Sequence, residues 1–296
     1  WTRAFSLRSE ERKNALPIKC SEKVSEVRFQ SHPKFEMPTE TATTHILKPQ
    51  NGKLPNGPDL SNSVENEFFC LKLTAALGLP SANVEMAEFG RTRALVVERF
   101  DRVHARDGRL LRRPQEDCCQ ALGVPPTRKY QSEGGPGMTD ILDLLNGADD
   151  PERDRALFLK AQIVFWLLAA TDGHAKNFSI RLSPGGRFAL TPLYDVISVQ
   201  PSLAANQMHR KNAKMAMSVG KTNHYRVDDI TPRHFIETGA KAGMSKTVVE
   251  KIFAELRTTT ETAIASVIAT LPPDFPTAIA EQIADGIGPR LRQLGG

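Results

Sequence analysis

The chain has 296 residues, of which 40% are hydrophobic and 25% charged, and its formal net charge is +5. These proportions are ordinary for one large or two modest domains, and so small a net charge does not by itself indicate nucleic-acid binding. No run of eighteen apolar residues and no signal peptide is visible, so we expect no membrane span and a cytoplasmic protein. Four cysteines without C-x-x-C spacing argue against a zinc site and for reduced thiols.

The chain begins at Trp1 rather than Met, and we therefore expect a fragment of a longer protein. The first recognisable element is a short strand over residues 43–48 that ends on Lys48. A helix is predicted to follow over residues 61–78, with Ser61 or Ser63 capping its free amides and Gly78 ending it. A lysine at a strand end is most often a solvated edge residue.

Glu67, near the start of that helix, is our candidate for an acid that orders Lys48. The alternative is a glutamate that only complements the helix dipole. Residues 94–101 predict a β-strand, and residues 136–145 predict a helix. Pro151 is typical of a helix start, and residues 156–170 are apolar nearly all round, which is typical of a buried helix.

The most informative segment follows this buried helix. Asp172 is followed five residues later by Asn177, and Asp195 lies eighteen residues beyond Asn177. Between Asn177 and Asp195, two alternating stretches flank the turn sequence SPGG at residues 183–186, which predicts a β-hairpin.

This spacing is the layout of a kinase catalytic loop. Asp172 would accept or orient the proton of the attacking hydroxyl. Asn177 and Asp195 would supply the hard oxygen ligands that Mg²⁺ prefers. The alternative is that all three are ordinary turn or surface residues.

The C-terminal part has a basic stretch at residues 209–221 and three segments with helical periodicity, which begin near residues 247, 262 and 277. The basic stretch is most simply a solvated charged face. We expect three amphipathic packing helices without chemistry of their own.

Several strings resemble the HipA-type serine/threonine protein kinases, which are toxins of bacterial toxin–antitoxin modules. They are TDGHAKNFS (171–179), TPLYDVIS (191–198), RALVVERFDR (93–102), RPQEDCCQALG (113–123) and YQSEGGPG (130–137). The resemblance implies an α+β, two-lobed protein-kinase-like fold. The expected domains are a small ATP-binding lobe at residues 1–100, without the N-terminal subdomain of the family, and a helical catalytic lobe at residues 101–296.

The same resemblance implies roles for individual residues. Asp172 is the expected catalytic residue, and Asn177 and Asp195 are the expected Mg²⁺ ligands. Lys48 is the expected ATP-binding lysine, and residues 98–100 form the hinge that reads adenine. The full set expected to contact ATP is Lys13, Lys48, Glu98, Arg99, Phe100, His174, Asn177, Tyr194 and Asp195.

The phosphate-binding loop of the family aligns with residues 5–16, which keep Lys13 and place Ser6 at the autophosphorylated serine. Its glycine-containing centre is replaced by RSEE at residues 8–11. Two glutamates near a triphosphate are repulsive, and without glycine the backbone amides approach phosphate less closely. We therefore expect weak ATP binding and little phosphorylation of Ser6.

The expected function is ATP-dependent phosphorylation of a protein Ser or Thr, in a toxin that causes growth arrest and persistence. The resemblance implies a HipB-like antitoxin partner, contact with operator DNA through that complex, and a translation protein such as glutamyl-tRNA synthetase as substrate. One alternative is a pseudokinase that has kept only the antitoxin and operator role. Another is a small-molecule kinase of similar fold.

Overall fold

A computed structural model describes residues 43–53 and 57–295. The described residues from Thr44 onward form one unit, to which every described helix and strand belongs. The boundary expected near residue 100 stays a prediction.

The first sheet is antiparallel, and Lys48 lies on an edge strand that pairs with the central strand. It consists of β1 (His45–Pro49), β5 (Thr92–Glu98) and β4 (Val84–Phe89), in the order β1-β5-β4, with Lys48 opposite Leu95. Two short strands, β2 (Gly52–Lys53) and β3 (Asp59–Leu60), pair beside it. Helix α1 (Ser63–Ala76) packs against β4 and β5.

The other described strands form small antiparallel sheets. Strands β6 (Arg102–His104) and β7 (Leu110–Arg112) make a hairpin, as do β11 (Lys214–Val219) and β12 (His224–Arg226). Strands β8 (Gln115–Asp117), β9 (Ser179–Ser183) and β10 (Arg187–Leu190) form a three-stranded sheet in the order β10-β9-β8. The β9–β10 hairpin confirms the predicted one, and Gly185 and Gly186 in its turn both have positive φ.

Helices make up most of the C-terminal part. They are α2 (Cys118–Ala121), α3 (Met138–Leu144), α4 (Pro151–Leu168), α5 (Gln200–Ala204), α6 (Pro232–Lys241), α7 (Lys246–Ala269) and α8 (Thr277–Gln293). Helix α4 begins with Pro151 as predicted and is buried from Phe158 to Leu168. Its aromatic residues Phe158, Phe165 and Trp166 are among the largest fully buried side chains. No helix in the described part of the chain is both long and apolar enough to cross a bilayer.

One expectation about the C-terminal helices is wrong. The segments beginning near residues 247 and 262 are a single helix, α7. The helix continues through the threonines between them, where the hydroxyls of Thr258, Thr259 and Thr260 donate to carbonyls of the preceding turn.

Candidate functional site

Lys48 lies between two carboxylates that come from distant parts of the chain. Its Nζ is 2.7 Å from Glu67 Oε1 and 2.7 Å from Asp195 Oδ1. The Glu67 side chain is 5% exposed and that of Asp195 12%. The predicted contact between Lys48 and Glu67 is therefore confirmed, and Asp195 shares the same ammonium group.

Helix α1 presents Glu67 to Lys48, but its start differs from the prediction. Asn62 is the N-cap residue, and neither Ser61 nor Ser63 caps the helix. The amide of Val64 instead donates to Gln50 Oε1 at 2.9 Å, and Ser63 Oγ accepts the Asn51 amide at 2.9 Å. The loop after β1 thus satisfies the free amide, which ties the strand carrying Lys48 to the helix carrying Glu67.

Hydrogen bonds on both sides of Asp195 hold its segment against the first sheet and α1. The Leu193 amide donates to the Pro80 carbonyl at 2.8 Å. Asn66 on α1 donates to the Ser198 carbonyl at 2.8 Å and accepts the Ser198 amide at 2.9 Å. Asp195 itself has φ +61°, a left-handed conformation that is uncommon for residues other than glycine. The position of its carboxylate on Lys48 is thus enforced by the surrounding structure.

The segment carrying Asp172 and Asn177 follows α4 directly. Ala169, with φ +49°, ends the helix, and residues Ala175–Asn177 form a 3₁₀ turn. Asn177 Nδ2 donates to the Asp172 carbonyl at 2.9 Å and contacts the Asp195 carbonyl at 3.4 Å. One buried amide side chain therefore joins the two acidic residues that the spacing singled out.

Gly173 allows this segment to lie close to α4. A Cβ added there would be 2.4 Å from Phe165 Cδ2. Phe165 in turn packs on Phe178, with ring centroids 5.6 Å apart. Glycine is therefore required by close packing, since its φ is not positive.

The residues expected at the hinge are partly engaged in structural contacts. The Glu98 amide donates to the Asn83 carbonyl, and the Arg99 amide to the Thr44 carbonyl, both at 2.9 Å. The Arg99 guanidinium makes two hydrogen bonds to the buried carboxylate of Asp101, at 2.9 and 2.8 Å. The ring of Phe100 lies 5.9 Å from that of Tyr194, centroid to centroid.

Tyr194, also expected to contact ATP, makes its polar contacts with protein. Its hydroxyl donates to the Lys176 carbonyl at 2.9 Å and lies 2.5 Å from Ser179 Oγ. Burial raises the pKa of Tyr194 far above its ordinary value, so the phenol stays protonated.

Burial and the attraction between Lys48 and Glu67 have opposite effects on the pKa values of both groups. Burial raises the pKa of Glu67 to about 7, with Asp195 adding to the rise and Lys48 opposing it. Burial lowers the pKa of Lys48, but the charges of Glu67 and Asp195 outweigh that effect and leave it raised. Lys48 is thus held in its charged form.

Some polar atoms at the site are buried and have no hydrogen-bond partner among the described residues. They are Asp172 Oδ2 and both ring nitrogens of His174. His174 Nε2 is 3.9 Å from Asp172 Oδ1, which is too far for a hydrogen bond. Burial lowers the pKa of His174, which favours the neutral ring. Unsatisfied buried polar atoms are uncommon and point to a ligand or water at this place.

The tyrosine beside Asp172 was missed by the sequence reasoning. Tyr130 OH donates to Asp172 Oδ1 at 2.5 Å. Its string YQSEGGPG was singled out only as part of a resemblance, although a tyrosine before a run of turn residues could have drawn attention to a rigid loop.

Two of the expected residues, Ser6 and Lys13, lie outside the described residues, as does the whole segment aligned with the phosphate loop. Within the described part, no group of three or more His, Cys, Asp or Glu side chains could hold a metal ion. A site with two protein oxygens would be compatible with Mg²⁺, which keeps several waters and is shared with substrate phosphates.

Comparison with known proteins decides the family. Residues 22–264 match the family model described as the HipA-like C-terminal domain. The chain belongs to this family. Among curated relatives of this HipA-like chain, the protein Y4mE of Sinorhizobium fredii is 43% identical over 61% of the chain and 40% of its own length. The serine/threonine-protein kinase toxin HipA of Shewanella oneidensis is 34% identical over 53% of the chain and 37% of its own length. The chain thus spans about two fifths of the length of these relatives.

Solved structures confirm the expected fold. The HipA-like chain matches one from the complex of Shewanella oneidensis HipA, HipB and operator DNA with a TM-score of 0.71 and 24% identity. The match covers 96% of this chain and 74% of that one. The Helicobacter pylori kinase CtkA matches with a TM-score of 0.59 and 12% identity, over 84% and 86% of the two chains. The fold is therefore α+β and protein-kinase-like.

Proposed function

We propose that this HipA-like protein transfers the γ-phosphoryl group of ATP to a Ser or Thr hydroxyl of a protein. One observation carries the proposal. Asn177 contacts the backbones of both Asp172 and Asp195, while the Asp195 carboxylate binds Lys48. Four residues of the kinds that phosphoryl transfer requires thus meet at one place from three separate segments.

Lys48 is the residue we assign to the phosphates of ATP. Glu67 is buried and keeps the ammonium group in place, so the lysine is positioned before nucleotide arrives. Glu98, Arg99 and Phe100 would face the adenine, with Phe100 and Tyr194 supplying aromatic surface. Neither ring nitrogen of His174 has a hydrogen-bond partner in the described part of the chain, and His174 would contact ATP as well.

Asn177 and Asp195 would hold Mg²⁺. The Asp195 carboxylate contacts Lys48, and the Asn177 amide contacts the Asp172 carbonyl. Because carboxylate and amide oxygens are the hard ligands that Mg²⁺ prefers, these two side chains fit the ion. When bound, Mg²⁺ neutralises charge on the phosphate oxygens.

Asp172 is the residue we assign to the acceptor hydroxyl. Its Oδ2 is buried and has no hydrogen-bond partner within residues 43–53 and 57–295, which suits an atom that receives a proton from a bound substrate.

The cellular role we propose is that of a toxin in a toxin–antitoxin module. One relative supports it, since the HipA of Shewanella oneidensis is called a kinase toxin and was solved in a complex with HipB and operator DNA. The partners would be a HipB-like antitoxin and, through it, operator DNA. Growth arrest on expression, relieved by co-expression of that antitoxin, is the expected result. Glutamyl-tRNA synthetase is the first acceptor protein to test for phosphorylation.

The decisive experiment uses Asp172→Asn and Asp195→Ala, with Asp285→Asn on an exposed face of α8 as control. We expect Asp172→Asn to lower transfer about 10²–10⁴-fold and to retain ATP binding. We expect Asp195→Ala to lose the Mg²⁺-dependent thermal stabilisation by ATP, while the control matches the parent. Parental transfer rates in Asp172→Asn would contradict the proposal. Mg²⁺-dependent ATP binding by the parent without any transfer would favour the pseudokinase alternative.

A further inference from the structure

We infer that Tyr130 is a positioning residue that holds the Asp172 carboxylate so that only one of its oxygens serves the acceptor hydroxyl. The inference rests on the proposed phosphoryl transfer. It starts from an asymmetry between two atoms of one side chain. Asp172 Oδ1 accepts the Tyr130 hydroxyl at 2.5 Å, whereas Oδ2 is buried and has no hydrogen-bond partner among the residues that the structure describes.

The two oxygens of the Asp172 carboxylate therefore have different roles. A carboxylate held through Oδ1 loses rotational freedom about its terminal torsion, which is broad when unconstrained. Oδ2 is then held in one position, where it would receive the proton of the acceptor hydroxyl. In the transfer step the acceptor oxygen forms a bond to the γ-phosphorus and its proton passes to Asp172 Oδ2. The bond from that phosphorus to the bridging oxygen breaks, and its electron pair leaves with ADP.

The loop around Tyr130 is folded tightly enough to fix the phenol. The Tyr130 carbonyl accepts the amides of Glu133 at 3.0 Å and Gly135 at 2.9 Å. A Cβ on Gly135 would lie 2.1 Å from the Arg128 carbonyl oxygen and 2.7 Å from that of Tyr130. Only glycine permits so close a backbone approach.

A second anchor ties this loop to the β11–β12 sheet. Gln131 Oε1 accepts the backbone amide of Ser218, on β11, at 2.7 Å. The residue after Tyr130 is thus held by a strand that takes no part in the proposed chemistry. A side chain supported in this way is pre-organised, which is what a positioning role requires.

Tyr130 is also the donor suited to this role. In the described part of the chain, no other side chain donates a hydrogen bond to the Asp172 carboxylate. Burial, with the neighbouring Asp172, raises the pKa of Tyr130 far above its ordinary value, so the phenol remains a donor. His174 packs edge-on to the Tyr130 ring at 5.1 Å, which supports the ring without competing for the carboxylate.

The rival interpretation is that the phenol occupies the place of the acceptor and inhibits the enzyme. The unpartnered Oδ2 argues against it, because in the described part of the chain this oxygen keeps an acceptor position for a second hydroxyl while Tyr130 stays on Oδ1. The two interpretations predict opposite effects of removing the hydroxyl. A positioning phenol increases the rate, so its removal slows transfer, whereas removal of an inhibitory phenol speeds transfer.

The test is Tyr130→Phe in the full chain, with Tyr225→Phe on β12 as the matched control. Transfer from Mg²⁺·ATP to myelin basic protein and the hydrolysis of ATP are measured, together with thermal stability. We expect kcat to fall on the order of tenfold or more, as for loss of a hydrogen bond to a charged group. The KM for ATP and the melting temperature should stay near the parental values, because the ring and its packing are retained.

A double-mutant cycle separates positioning from a general structural effect. In the Asp172→Asn background, Tyr130→Phe should change the residual rate little, because Tyr130 acts through the carboxylate. Equal fold-losses in both backgrounds would overturn the inference, as would a Tyr130→Phe rate at or above that of the parent. A parent without transfer in either assay would refute the proposed function itself, and the inference with it.

Discussion

Among single residues, Glu67 is a carboxyl group whose pKa is strongly changed by the fold. It is buried on α1, shares Lys48 with Asp195, and has its pKa raised to about 7, principally by burial. Its ordinary pKa is 4.5, so between pH 4.5 and about 7 the folded protein binds a proton at Glu67 that the unfolded chain has released. Protons bound more strongly in the folded state stabilise it, and that stabilisation is lost as the pH rises through this window.

Glu67→Gln removes this titration and is expected to flatten the pH dependence of stability. The free energy of unfolding of the parent should fall relative to that of the variant as the pH rises from 4.5 to about 7. Urea denaturation at several pH values measures the difference, and Glu261→Gln on the exposed face of α7 is the matched control. Parallel pH profiles for parent and Glu67→Gln would show that the carboxyl is not perturbed.

Among the helices and strands, α7 is the element whose extent was not evident from local signals. Its two apolar segments are separated by Thr258, Thr259 and Thr260, which have modest helix propensity. The helix continues because Val249, Ile252, Phe253 and Leu256 before the threonines, and Ala263 and Val267 after them, are all buried by the rest of the structure.

Thr258→Pro tests this continuity. Thr258 is exposed and its hydroxyl contacts are also removed in the Thr258→Ala control, so the further loss expected in Thr258→Pro comes from the backbone. Proline within a helix removes one hydrogen bond and clashes with the preceding turn, which costs about 3 kcal/mol. Thr258→Ala, the control, should be neutral or slightly stabilising. Equal unfolding free energies for the two variants would indicate an interrupted helix.

At the scale of the whole molecule, the described cysteines belong to the common core. Cys70 on α1 and Cys118 and Cys119 on α2 are free and buried. Burial raises the pKa of Cys70 to about 12 and also raises those of Cys118 and Cys119. Their thiolates are therefore scarce and inaccessible in the folded protein.

Alkylation of the Cys20→Ser variant is expected to report global unfolding. At mildly alkaline pH, iodoacetamide should leave the three remaining thiols unlabelled in the native protein and label all three in urea. Peptide mapping by mass spectrometry measures the label at each position. Rapid labelling of Cys70 without denaturant would mean that α1 opens locally.

Features that depend on short spacing could be predicted from the amino-acid sequence without the structure. The interval from Asp172 to Asn177, the SPGG turn and Pro151 at a helix start are local, so the backbone rules that govern them can be applied without a fold. Lys48 and Glu67 could also be paired, but only with the help of a known pattern of strand and helix.

Contacts between groups that are far apart in the chain became visible only in the folded protein. Lys48 and Asp195 are 147 residues apart, and Tyr130 and Asp172 are 42 apart, so no periodicity relates them. Gln50 satisfies the start of α1 because the loop after β1 lies beside it, which no capping rule could foresee. Such contacts are set by the packing of whole elements, and packing is a property of the folded chain rather than of any short stretch of it.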